Sequence, residues 1–270
     1  MDHRTARVPR HLGRLRRAVR KARGGAMRHN HIARALLMAI LTHGAFALAV
    51  GSMAFALATG LQFGQGGLTG TAAAFANLLL VLQFPLVHSF LLSRRGGRVL
   101  QRLSPVGHGR TLAISTYVLT GSLQLLLTFW AWSPSGVVWH HPEGALGAMQ
   151  WTLFAGAWVL LNKALWDAGL STQSGLAGWW ALLRGRDVDY GPMPERGLFA
   201  CCRQPIYLGF ALVLWTSPTW SPDLLLLVAP WTAYCLLGPL LKEARWQRMH
   251  GDRFTAYRAR VPYMMPRIRK

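Results

Sequence analysis

Lysine and arginine fall along this chain in blocks, and the blocks alternate with long runs that contain neither. Of the 30 Lys+Arg, 11 lie at or before Arg34, 5 between Ser93 and Arg110, 5 between Lys163 and Arg203, and 9 from Lys242 onward. The cation-free apolar runs cover about Ala35–Leu61, Leu68–Leu92, Thr111–Trp132 and Ala145–Leu161, and each is near or above the roughly 17–25 residues a membrane-spanning helix needs. Lys163 stands close enough to the fourth run to snorkel. Two further runs follow: Ile206–Thr216, which is short, and Leu224–Leu241, separated by the turn signals Ser217-Pro218 and Ser221-Pro222. The connections near 62–67, 133–144 and 217–223 hold no Lys or Arg.

Six crossings therefore place every cation on one face, which the positive-inside rule makes cytoplasmic. If Ile206–Thr216 did not cross, the nine-cation tail would fall on the opposite face. That segment is therefore expected to be one arm of a helical hairpin, lengthened by its neighbours. The sequence predicts an all-α polytopic membrane bundle of about six helices with both termini cytoplasmic. It divides into a basic arm over residues 1–34, a bundle over 35–241 and a tail over 242–270. The setting expected is a bacterial inner membrane, with any active site facing the cytoplasm.

Composition supports this class. Hydrophobic residues make up 52% and charged residues 14%, against about 25% charged in a soluble domain. The formal charge of +21 also suits a nucleic-acid binder. The arm Arg14–Lys21 has no base-stacking aromatics, however, and anionic lipid headgroups account for it more simply. The arm exceeds thirty residues and the first apolar run is extended, which favours a retained anchor over a cleaved signal peptide. Met27 is an alternative start.

The outer connections are too short for a further domain. No P-loop is present, no G-x-G-x-x-G follows a strand-like run, and no internal repeat suggests paired transporter halves. Polar residues within the runs are His43, Asn77, Gln83, His88, Gln124, Gln150 and Asn162, and most suit helix–helix hydrogen bonding. His88 stands apart, since it is ionisable and lies near the cytoplasmic end of its span, and it is a candidate to line a site. Cys201-Cys202, His140-His141 and His29-Asn30-His31 lack partner ligands, so no metal is expected. Trp130, Trp132 and Trp139 mark an interfacial aromatic belt.

The most specific signal is Arg203-Gln204-Pro205-Ile206-Tyr207-Leu208-Gly209, followed by Lys242-Glu243, Gly251, Phe254, Tyr257, Val261-Pro262 and Pro266. Each part has an ordinary structural use: a charge anchor, a first-turn proline, a packing glycine. A hairpin of the last two spans nevertheless brings Arg203 and Glu243 out at the same membrane face, where they suit a ligand carrying both charges and a flat ring.

Arg-x-Pro-x-Tyr-x-Gly, then Glu, Gly, Tyr and Val-Pro, resembles the integral-membrane methyltransferases related to isoprenylcysteine carboxyl methyltransferase and phospholipid methyltransferases. Upstream, His88-Ser89, Ser115-Thr116-Tyr117, Phe129–Pro134 and Trp215–Thr219 are similar to the bacterial methanethiol S-methyltransferase branch, and the similarity covers the chain from about Leu78 onward. The resemblance implies S-adenosylmethionine held between the last helices and the tail. Arg203, Gln204, Pro205, Tyr207, Leu208, Gly209, Glu243 and Tyr257 become the expected cofactor residues, with His88 and Arg203 as catalytic residues and His88 as a base for a small thiol substrate. Two positions depart from the family pattern: Gln204, where His is usual, and Lys242, where a second acidic residue is common. A carboxylate, amine headgroup or other thiol as acceptor remains an alternative. So does a non-catalytic membrane protein, such as a denitrification-associated accessory factor or a carrier.

Overall fold

The computed structural model describes the backbone of residues 10–266 and the side chains from residue 30 onward. The side chains of the basic arm, including His29 and the headgroup contacts expected of it, lie outside the described residues. Ten α-helices are described: α1 (Arg10–Ala58), α2 (Gly70–Leu91), α3 (Arg94–Leu103), α4 (Gly109–Trp130), α5 (Gly144–Asp167), α6 (Leu170–Gln173), α7 (Leu176–Arg184), α8 (Pro205–Trp215), α9 (Pro222–His250) and α10 (Asp252–Arg260). One 3-10 turn, Gly197–Ala200, precedes α8. Among the described residues five helices are long and apolar enough to cross a membrane: the Asn30–Ala58 part of α1, α2, α4, α5 and α9. α1 is continuous across residue 34 and α9 across residue 241.

The two ends of the bundle differ in kind. At the cation-free end the connections hydrogen-bond to one another: Gly66 N donates to Trp132 O at 2.8 Å, Trp139 N to Trp220 O at 2.8 Å, and Ser221 Oγ to Gly60 O at 2.6 Å. α9 begins there because Ser221 caps it, its hydroxyl accepting from Leu224 N at 2.9 Å, with Pro222 in the first turn. Asp223 is buried in the same place. It accepts from Trp132 Nε1 at 3.1 Å, Gln62 Nε2 at 3.1 Å and Ser135 N at 2.9 Å, which offsets the cost of burying its charge. This contact changes the reading of one tryptophan. Trp130 and Trp139 are exposed as a belt requires, but Trp132 is 1% exposed and belongs to the core. Its indole N–H has found a buried carboxylate, so it need not face the interface.

α1 packs chiefly on α4, α5 on α8, and α9 bridges α2 and α8. Leu57, Trp132, Leu161, Leu214 and Trp231 anchor the main core. Polar side chains inside the spans join helices. Gln83 and Gln124 exchange amide hydrogen bonds between α2 and α4, Asn77 holds both backbone groups of Ser133, and Gln150 Nε2 donates to Ser217 O at 3.1 Å.

The hairpin of the last two apolar segments forms, but its first arm is only 11 residues long. At about 1.5 Å per residue it rises about 16 Å, half of a roughly 30 Å hydrocarbon layer. Residues 201–204 before it are not helical, so the 3-10 turn does not extend it. The tail instead packs beneath its start: Arg203 N donates to Pro262 O at 3.0 Å, and Tyr263 Oη donates to Leu236 O of α9 at 2.7 Å. The short helix, α9 and the tail thus meet at one point.

Candidate active site

Three local features fix that point. Asp167 at the end of α5 accepts from Leu198 N at 2.8 Å and anchors the 3-10 turn. Gly197 allows this because its φ is +60° and a Cβ would stand 2.2 Å from Asp167 Oδ2. Pro205 then starts α8 at the position where a missing N–H costs nothing. Gly209 lets α8 lie against α5, where a Cβ would come within 3.0 Å of Leu161 Cα. Gly209 therefore faces α5, and its role in this structure is close helix packing.

With α8 so placed, Arg203 and Gln204 are turned inward. Arg203 is 8% exposed, Glu243 6% and Gln204 fully buried. Arg203 Nε donates to Glu243 Oε1 at 2.9 Å, and Nη2 approaches Oε2 at 3.4 Å. Its Nη1 donates to Arg258 O at 3.0 Å and Val261 O at 2.9 Å. Every nitrogen of the guanidinium is therefore engaged by the protein, and Tyr263 lies 5.5 Å beneath its centre. Arg203 ties α8, α9 and the tail together with the forked geometry that a lysine lacks.

Gln204 is held from both sides. Its Nε2 donates to Glu243 Oε1 at 2.7 Å, and its Oε1 accepts from Lys242 Nζ at 2.9 Å. An acceptor on one side and an ammonium on the other leave only one orientation for the amide. The two positions that depart from the family pattern thus touch each other. The contact pairs an amide with an ammonium. Lys242 Nζ also lies over three rings, at 4.5 Å from Trp246 and 5.6 Å from both Phe199 and Tyr207.

Tyr257 is buried, and its hydroxyl donates to Phe199 O at 2.8 Å, which steadies the turn before α8. Burial holds the Tyr257 phenol well above its ordinary range. Burial also pushes up the Cys202 thiol, although backbone and cationic neighbours partly oppose it. Leu208 is half-buried. Among the described residues no group of three or more His, Cys, Asp or Glu is arranged to hold a metal.

His88 lies on α2, away from the Arg203 group but connected to it by contacts. Its Nε2 is 2.5 Å from Tyr117 Oη of α4, while Nδ1 is buried and has no hydrogen-bond partner among the described residues. The neighbouring Ser89 Oγ donates to Tyr234 Oη at 3.3 Å, the Tyr234 ring is 6.3 Å from that of Tyr207, and Tyr207 borders Lys242. Arg245 lies within electrostatic range of His88, Tyr117, Tyr207 and Tyr234, and forms no hydrogen bond or ion pair among the described residues. Sequence reasoning missed Phe199, Trp246, Tyr263, Tyr117, Tyr234 and Arg245 as site residues. Trp246 carries a signal, since it stands four residues after Lys242 on the same helical face. Phe199 and Tyr263 carry none, because only the tertiary fold brings them in.

A protein called methanethiol S-methyltransferase 1 from Bradyrhizobium diazoefficiens is 30% identical to this chain over 200 residues, covering 73% of this chain and 69% of its own length. The chain belongs to the methanethiol S-methyltransferase family. The proteins called methanethiol S-methyltransferase from Crocosphaera subtropica and Mycobacterium tuberculosis are 29% and 28% identical, over 69% and 72% of this chain and 72% and 78% of theirs. No family model matches the chain, and no solved structure matches it. In this chain the converging end of α8, α9 and the tail buries Arg203, Gln204 and Glu243 together.

Proposed function

We propose that this chain is an S-adenosylmethionine-dependent membrane methyltransferase that methylates methanethiol to dimethyl sulfide at its cytoplasmic face. The observation that carries the reading is the buried Arg203–Glu243–Gln204 group, joined by the tail, in a chain of this family. The donor set fits the cofactor. Glu243 supplies a carboxylate, Gln204 an amide fixed in one orientation, and three rings lie around a half-buried cation, which suits a ligand that bears ammonium and sulfonium charge. When bound, the cofactor supplies an electrophilic methyl group on sulfur. Glu243 and Gln204 would orient its charged end, with Tyr207 and the Pro205–Gly209 turn of α8 beside it. Arg203 and Tyr257 would act by holding the tail in place.

The thiolate is the nucleophile, and a free alkanethiol is mostly protonated at neutral pH. His88 is the proposed base. In the tautomer whose Nε2–H donates to Tyr117 Oη, Nδ1 presents a buried lone pair that has no partner among the described residues. Arg245 adds positive charge to the same region, which favours the thiolate. A small apolar substrate can enter laterally between helices, and enclosure removes competing water.

The test supplies membranes containing the protein with methanethiol and S-adenosylmethionine and measures dimethyl sulfide in the headspace. Production above that of control membranes is expected. No product from folded protein would remove the thiol reading, and a labelled-methyl panel of carboxylate and amine acceptors would then identify the alternative.

A further inference from the structure

The rings around Lys242 come from three separate parts of the chain: Phe199 from the 3-10 turn, Tyr207 from α8 and Trp246 from α9. Convergence of this kind is the geometry that recognises a cation with little hydration, such as a quaternary ammonium. An ammonium is a poor match to it. It is compact, strongly hydrated and carries three N–H donors. Among the described residues Lys242 finds one hydrogen-bond acceptor, Gln204 Oε1. Glu243, the adjacent carboxylate, is already committed to Arg203 and Gln204. A sulfonium has no donor to satisfy and would meet the rings with its whole charged surface.

We propose that Phe199, Tyr207 and Trp246 form the seat of the donor's sulfonium, and that Lys242 is its internal occupant, filling the seat until the donor displaces it. The inference rests on the proposed S-adenosylmethionine reading. The flexible four-carbon stem of lysine allows the exchange without movement of α9. Displacement gives the site a preference by charge. The donor is cationic and gains the ring contacts, whereas its demethylated form, S-adenosylhomocysteine, is neutral at sulfur and gains almost nothing from them. Return of the ammonium to the rings would then help expel the spent cofactor.

The experiment measures equilibrium binding of S-adenosylmethionine, S-adenosylhomocysteine and trimethylsulfonium to the full chain in detergent or nanodiscs. The variants are Lys242→Met, Trp246→Leu, Trp246→Phe and the double variant Lys242→Met/Trp246→Leu, with thermal unfolding as the folding control. Lys242→Met is expected to tighten S-adenosylmethionine at least about tenfold more than S-adenosylhomocysteine, because it removes a like charge and an occupant together. Trp246→Leu is expected to weaken S-adenosylmethionine about 2- to 25-fold with little effect on S-adenosylhomocysteine, and Trp246→Phe to retain most of the difference. Trimethylsulfonium should bind Lys242→Met and be lost in the double variant. Equal changes for the two cofactors in both single variants would overturn the proposal. So would failure of trimethylsulfonium to bind folded Lys242→Met. If trimethylsulfonium behaves as expected and neither cofactor binds any form, the cation seat stands and the identity of the donor is what fails.

Discussion

Glu243→Gln isolates the charge that holds the candidate site together. The carboxylate accepts from Arg203 Nε at 2.9 Å and Gln204 Nε2 at 2.7 Å through one oxygen, and faces Arg203 Nη2 at 3.4 Å with the other. An amide of nearly the same shape cannot serve all three. If its oxygen takes the first two donors, its NH2 confronts Nη2; if it flips, the NH2 meets two donors. In either case Arg203, 8% exposed, is left as a buried cation without a carboxylate, its partners reduced to backbone carbonyls and one neutral amide oxygen. Removing one member of such a pair costs about 3–5 kcal/mol. At about 2–4 °C per kcal/mol for a chain near this size, the unfolding midpoint should fall by roughly 6–20 °C. The measurement is thermal unfolding followed by tryptophan fluorescence in detergent, without ligand, so that any cofactor role does not enter. Adding Arg203→Met to the variant removes the stranded charge and should recover more than half of the loss. A midpoint within about 2 °C of the parent, or a double variant that is simply the sum of the two singles, would refute the account.

Three further outcomes follow from the geometry. Gly209→Ala places a methyl 3.0 Å from Leu161 Cα, a backbone atom with little freedom to move, and should destabilise the protein by about 1–3 kcal/mol in the same unfolding assay. The Cys202 thiol and Tyr257 phenol are both raised by burial, so each stays protonated in the fold after its unfolded counterpart has ionised. Their contribution is complete at neutral pH and should decline above about pH 8.5 for the thiol and about pH 10 for the phenol, seen as a falling midpoint on alkaline titration, with Cys202→Ala removing the first phase. His88→Ala should lower the rate of dimethyl sulfide formation about 10²- to 10⁴-fold while leaving S-adenosylmethionine affinity within about twofold. A shift in affinity with the rate unchanged would assign His88 to packing.

The order of apolar runs and the segregation of cations are properties of the linear chain, because a lipid layer sorts residues by hydropathy over about twenty positions at a time. The helical class, the five long apolar helices and the hairpin of the last two segments could therefore be read directly. So could the nearness of Arg203 to Glu243, which needs only that two adjacent arms share an end; that the two pair with each other, where the sequence predicts a ligand carrying both charges between them, is a finding of the structure. The use of each group depends on depth and on distant neighbours. α8 begins only at Pro205, and the non-helical residues before it turn Arg203 inward and commit its guanidinium to α9 and the tail. Trp132 leaves the interface because Asp223, far along the chain, accepts its N–H. Lys242 and Gln204, two separate oddities in sequence, become one hydrogen-bonded pair, and three rings with no shared sequence pattern gather around it. Hydropathy determines which segments form the bundle, but the partners of a buried charge are chosen by packing in three dimensions, and that choice only the tertiary structure made.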